Sequence, residues 1–174
     1  MRFPRAAAAI FLLWGAARAE QPSKTIGYKI PAGWVLDSAG AKQVGAELMF
    51  LPKGSTRAKM DRAITIAYQA KDPEQPAIAD LDSYFRVEME LTQERFPDLQ
   101  AARWQPKGLD PERVSYKSIE LFGKAPNQPP PHRLVIVDTG DGFYSITFTD
   151  LVRTRLSEPL VEDFFGSIRL ESKP

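Results

Sequence analysis

The residues able to do chemistry are few and scattered. His132 is the one histidine, and the chain has no cysteine. A single imidazole cannot build a multi-histidine metal site, and no serine and aspartate partners stand out for a nucleophilic triad. The lack of cysteine removes thiol nucleophiles, thiol redox chemistry and Cys-based metal sites. Glu88, Glu90 and Glu94 form a carboxylate cluster. Paired carboxylates do acid–base work when an apolar enclosure lifts one pKa. Their placement off an apolar stripe predicts a solvated helix face instead. Asp138 and Asp141 lack the acidic ladder and closing glutamate of a helix-loop-helix calcium site. Lys53 to Asp61, with Arg62, carries four basic residues. It lacks the G-x-x-x-x-G-K-[ST] pattern that cradles phosphate, so it reads as a solvated connection.

One string suggests a specific reaction. Val135-Ile136-Val137-Asp138-Thr139-Gly140 matches the apolar-apolar-Asp-Thr-Gly string of aspartic peptidases, whose two aspartates share a proton. Phe164-Phe165-Gly166 resembles the later apolar-apolar-Gly element of those enzymes. The residues that follow, Asp141-Gly142 and a further β-patterned run, make the string a hairpin turn. An aspartic-type peptidase acting through Asp138-Thr139-Gly140 is therefore a remote alternative.

The elements that must hold these residues are clearest in the C-terminal third. Leu134 to Val137 is a short apolar run rich in β-branched residues, as in a well-covered strand. Phe143 to Thr149 alternates, placing Tyr144, Ile146 and Phe148 on one face and Phe143, Ser145, Thr147 and Thr149 on the other. Gly140 and Gly142 permit the reversal between the two runs. Leu156, Leu160, Val161, Phe164, Phe165 and Ile168 then recur at helical spacing, with Ser157 as N-cap and Pro159 in the first turn. This helix is expected to fold back onto the hairpin's sheet.

Upstream, Thr25 to Ile30, Trp34 to Leu36, Ala46 to Leu51, Ala63 to Ala70 and Arg113 to Phe122 read as strands. Trp34 is expected to plug the core or a sheet edge. Ser38 to Val44 and Lys71 to Ala77 read as loops. Ile78 to Phe96 is the strongest helix, with Ile78, Leu81, Phe85, Met89 and Phe96 on one stripe and Pro97 as its stop. Pro97 to Pro111 reads as irregular, with Trp104 closing over the core. Gly123 to Pro131 is a proline-rich connection. Its Pro126-Asn127-Gln128-Pro129 fits a P-x-x-P ligand pattern but is better explained as a stiff loop. Arg169 to Pro174 reads as a tail.

Met1 to Ala19 has the form of a secretory signal. Arg2 and Arg5 give a positive start, Ala6 to Gly15 an apolar run, and Ala17-Arg18-Ala19 a small-x-small cleavage site. The run falls short of the ~20 residues that span a bilayer. Residues 20–174 are expected to form one exported domain of 155 residues with no stable membrane insertion. The signal holds three arginines and no acids, so 23 basic against 22 acidic residues becomes 20 against 22, a net −2. That balance points away from nucleic acid and from polybasic membrane attachment.

Tyr28-Lys29-Ile30-Pro31 with Gly33-Trp34, then Leu81, Tyr84 and Phe85, then Gly142-Phe143-Tyr144-Ser145-Ile146-Thr147, and finally Phe164 with Ser167-Ile168, resemble the PsbP-like family. The resemblance spans nearly all of residues 20–174. It implies an α+β fold, an α/β/α sandwich with a mainly antiparallel sheet covered by a central and a C-terminal helix, shared with the nuclear-import factor that binds the Ran GTPase. The chain departs from lipoprotein members in having no cysteine after its signal, and a photosystem role is not carried over. The resemblance implies a non-catalytic periplasmic or secreted binding or assembly factor with an envelope protein as partner. No catalytic, cofactor-binding or metal-binding residue is assigned. The alternative is a small-ligand carrier or enzyme with a pocket between sheet and helix, lined by Tyr84, Trp104 or Tyr144.

Overall fold

The computed structural model describes residues 23–56, 61–72, 74–75, 78–95, 97–123, 132–150 and 159–172. The signal segment, the P-x-x-P stretch, Leu156 and the Ser157 cap lie outside the described residues.

The hairpin is the centre of the sheet. Strand β7 (His132–Asp138) pairs with β8 (Gly142–Asp150), and β8 pairs along its whole length with β4 (Arg62–Ala70). Outward on one side lie β3 (Leu48–Pro52) and β2 (Trp34–Leu36); on the other lie β6 (Tyr116–Gly123) and β5 (Leu99–Ala102). The order is β2-β3-β4-β8-β7-β6-β5, with every pairing antiparallel. A separate ribbon joins β1 (Lys24–Gly27) to β9 (Arg169–Ser172).

Strand alternation sends the two halves of β8 to opposite layers. Tyr144, Ile146 and Phe148 pack with Ile64, Ile66, Val135 and Val137 against Val161, Phe164 and Phe165 of α3 (Pro159–Gly166). The β1–β9 ribbon closes the same layer through Ile26 and Leu170. Phe143 faces the other way. It meets Leu134, Ile136, Ile78 and Tyr84, beneath α2 (Leu81–Arg95). Helix α1 (Ser38–Val44) covers that second face through Ala41 and Val44, over Met49, Leu51 and Ala63. The fold is an α+β sandwich with helices on both faces of a mainly antiparallel sheet.

Three expectations are corrected. Ser38 to Val44, read as a loop, is α1. Asp37 accepts the Gly40 N–H at 2.9 Å, and Gly45 ends the helix at φ 68°. Capping at both ends and burial of small residues replace the missing apolar stripe. The irregular stretch contains β5, an edge strand that owes its existence to pairing with β6. The tail contains β9, which has one apolar residue and is fixed by its distant partner β1. The other strands and both large helices exist as expected, with shifted ends: the first strand stops at Gly27, short of Ile30, the strand expected from Arg113 starts at Tyr116, and α2 starts at Leu81, three residues after Ile78. Trp34 packs on Phe148 at 6.1 Å, and Trp104 closes over Phe165 at 5.1 Å, so both aromatics are core plugs.

Candidate functional site

A cleft of about 820 Å³ opens beside α3. Three segments far apart in sequence wall it: Lys29 to Ala32 between β1 and β2, Lys107-Gly108 after Trp104, and Leu160 to Ser167 along α3. Local geometry holds these walls together. Ser167 Oγ donates to the Phe164 carbonyl at 2.7 Å and accepts the Lys29 N–H at 2.8 Å, tying the first wall to the helix end. Gly108 sits at φ +86°, and Gly166 lies so close to the Lys107 carbonyl that a β-carbon there would approach it to 2.7 Å. Helix and turn therefore meet backbone to backbone.

The floor at Glu162 is backed by a polar cluster whose other side chains do not themselves line the cleft. Glu162 points inward from α3. Its Oε2 accepts the Lys107 N–H at 2.8 Å, and its Oε1 accepts Arg133 Nη1 at 3.1 Å and Trp104 Nε1 at 3.4 Å. Arg133 is 4% exposed in β7, with its guanidinium carbon 4.8 Å above the Trp104 ring. Its Nε stands 3.5 Å from Glu120 Oε1, an ion pair that lacks hydrogen-bond geometry and leaves Nε otherwise unsatisfied. Ser118 Oγ donates to the Trp104 carbonyl at 2.6 Å and fixes that loop on β6. A buried arginine facing two carboxylates and an aromatic ring is paired on each side, as a buried charge requires.

The rim is open. Lys29 and Lys107 are exposed, and among the described residues neither ammonium has a carboxylate partner. Asp163 is the remaining exposed acid of the cleft. Ile30 is 49% exposed at its edge. Val35 and Leu36 of the edge strand β2 are also exposed, and their register opposite Leu51 and Phe50 turns them to opposite faces of the sheet.

The residues singled out by sequence lie elsewhere. Asp138 closes the β7–β8 turn. It accepts Lys71 Nζ at 2.8 and 3.0 Å and the Gly140 N–H at 2.7 Å. Asp141 accepts the Ser23 N–H, and its Oδ1 stands 2.7 Å from Thr139 Oγ1. The Asp-Thr-Gly string is thus turn chemistry locked by a lysine. His132 is the buried first residue of β7, opposite Leu121 and Thr149. Glu90 and Glu94 are solvated as expected, but Glu88 is not. Burial pushes its carboxyl up, against the opposing effect of a Tyr84 hydroxyl bond. Tyr84 Oη in turn lies 3.2 Å from Ser145 Oγ, and its ring stacks on Phe143 at 4.7 Å. Tyr84 belongs to the α2 layer, whereas Trp104 and Tyr144 belong to the α3 layer. The sheet separates them, so they cannot line one pocket. Among the described residues no three His, Cys, Asp or Glu side chains form a metal set, and no helix is long and apolar enough to cross a membrane.

Arg133 and Glu162 were not singled out from sequence. A signal was present: Arg133 interrupts the run from Leu134 to Val137 at its start, and a charge entering a buried strand requires a partner.

No protein-family profile and no curated protein matches the chain. Among solved structures it resembles the solution structure of cyanobacterial PsbP (CyanoP) from Synechocystis sp. PCC 6803. The TM-score is 0.51 at 14% identity, covering 91% of this chain and 99% of that one. The fold is therefore PsbP-like. That likeness extends over the whole sandwich, as the residues of the sequence resemblance implied.

Proposed function

We propose that this chain is a non-catalytic exported binding or assembly factor, and that the α3 cleft is its recognition surface. The observation that supports this reading is the contrast between floor and rim. The polar groups behind the cleft are engaged with one another, save Arg133 Nε, which faces Glu120 at 3.5 Å without a hydrogen bond. Glu162 takes three donors and Ser167 bonds on both sides. Chemistry needs a nucleophile or base free to act on a bound group. Recognition needs a preformed surface with open apolar and charged side chains. Lys29, Ile30 and Lys107 supply those. Export follows from the Met1 to Ala19 segment, and an envelope protein is the partner it would reach.

The test is capture from envelope extract on immobilised residues 20–174, read by mass spectrometry. The same capture is run with Ile30→Asp and with Leu91→Asp, since Leu91 is an exposed apolar residue on α2, in the other layer. A protein retained by the wild type and by Leu91→Asp but lost with Ile30→Asp supports the reading. Retention that ignores Ile30 overturns it.

A further inference from the structure

We infer that Glu47, Tyr28 and Tyr144 form a binding site for a small primary alkylammonium ion. This goes beyond the recognition reading above and does not rest on it. The site lies in the α3 layer, at the end of the sheet that carries the β7–β8 turn. Tyr68 and Tyr144 are directly opposed in the β4–β8 pair, with ring centroids 5.0 Å apart and planes tilted by 49°. Tyr68 Oη lies against Gly142 and leaves no room there for a β-carbon. Glu47 is fixed to the other side of β4, where its N–H donates to the Ile66 carbonyl at 2.9 Å, two residues before Tyr68. Tyr28 packs on Phe50 at 5.7 Å and on Phe164 at 6.1 Å. Burial, and then the Glu47 charge, push up both the Tyr28 and Tyr144 hydroxyls, so the carboxylate stands within electrostatic reach of the two.

No cation of the chain answers this charge. Among the described residues the Glu47 carboxylate makes no ion pair and accepts no hydrogen bond. Burial alone shifts its pKa, upward, and no lysine or arginine opposes it. Tyr144 is 4% exposed, yet its hydroxyl has no partner among the described residues, and Asp141 places a second negative charge near it. The Tyr28 hydroxyl has no partner among them either. Desolvated polar groups of this kind are ordinarily paired. The groups present select the ligand. Two carboxylates without a counter-charge favour a cation. Three acceptors, the Glu47 carboxylate and the two hydroxyl oxygens, match the three N–H donors of a primary ammonium. The tilted Tyr68 and Tyr144 rings add an aromatic surface that attracts a cation and covers an alkyl chain. A hard metal ion fits less well, since no three acids form a metal set among the described residues.

The test titrates n-butylammonium into residues 20–174 at fixed ionic strength and follows the tyrosine rings by heteronuclear NMR. Three comparison probes accompany it: butanol, which has no charge; tetramethylammonium, which has no N–H; and phosphatidylethanolamine vesicles, which carry the ammonium on a lipid. Saturable shifts are expected at Tyr28, Tyr68 and Tyr144, with butylammonium bound at least about tenfold more tightly than butanol or tetramethylammonium. E47Q should remove at least about tenfold in affinity, and Y28F and Y144F about threefold or more each. E90Q, on the solvated face of α2, should leave binding unchanged. The backbone amide spectrum confirms that each variant keeps its fold. Equal binding of butanol or tetramethylammonium, indifference to E47Q, or a response to vesicles with none to the free amine would overturn the inference.

Discussion

Arg133 Nη1 donates to Glu162 Oε1 across 3.1 Å and so joins the middle of the sheet to α3 beneath the cleft. The two side chains are 5% and 17% exposed, so the pair is largely withdrawn from water. Glu162→Ala leaves the buried guanidinium with Glu120 alone and strips the Trp104 and Lys107 N–H groups of their acceptor, and should cost about 3–5 kcal/mol in urea unfolding. Arg133→Met combined with Glu162→Leu should recover most of that loss, because replacing a buried pair with apolar side chains is often near neutral. A Glu162→Ala variant as stable as the wild type would show that the pair is not buried in solution.

Gly166 and Gly108 make the backbone contact that sets the width of the cleft. Alanine at 166 drives a β-carbon to 2.7 Å from the Lys107 carbonyl, with backbone on both sides of the contact. Such overpacking costs about 1–3 kcal/mol. Gly108→Ala meets a different obstacle, the φ of +86°, and should cost about 1–2 kcal/mol. Gly166→Ala should also reduce capture at the cleft, because relief of the clash displaces the Lys107 wall. Unchanged thermal unfolding in both variants would contradict the close approach.

Asp141 makes an acid-sensitive anchor. Burial tends to raise its pKa, but bonds from the Ser23 N–H and the Thr139 hydroxyl together outweigh this and hold it at about 2, below the ordinary 3.8. The depressed value means that the folded state holds fewer protons than the unfolded one. Its stabilisation is present above pH 3.8 and is lost as pH falls toward 2. Asp141→Asn should flatten that part of the curve of urea midpoint against pH. A variant curve parallel to the wild type throughout would refute the anchor.

Glu88 has the opposite sign. Burial raises its folded pKa above the ordinary 4.5, so the folded state holds more protons. Its contribution is most favourable below pH 4.5 and fades as pH rises through the raised folded value. Glu88→Gln should therefore gain stability relative to the wild type at pH 7 compared with pH 4, measured by urea midpoints. A gain of the same size at both pH values would place Glu88 in solvent.

The sandwich was legible wherever burial follows a period. Alternation in Phe143 to Thr149 separated the two faces of β8, and the stripe through Ile78, Leu81, Phe85, Met89 and Phe96 marked α2, although Ile78 precedes its first turn. Elements made by pairing alone were not legible. Strand β9 has a single apolar residue and exists because β1 lies beside it, and β5 is held by β6 in the same way. Helix α1 hid behind small residues, although Asp37 and Gly45 are its cap signals. The cleft was out of reach for a different reason. Its walls at Lys29, Lys107 and Glu162 are distant in sequence, and only the folded backbone brings them to one opening. The Asp138-Thr139-Gly140 string shows the converse, since a short match acquires its meaning from Lys71, far away in the chain.

The central claim is that the cleft, and no other face, meets the partner. A photo-cross-linking amino acid placed at Ile30, and separately at Leu91, tests it in exporting cells. The account predicts a discrete adduct to one envelope protein from position 30 and none from position 91. Adducts of equal yield from both positions, or from position 91 alone, would contradict it.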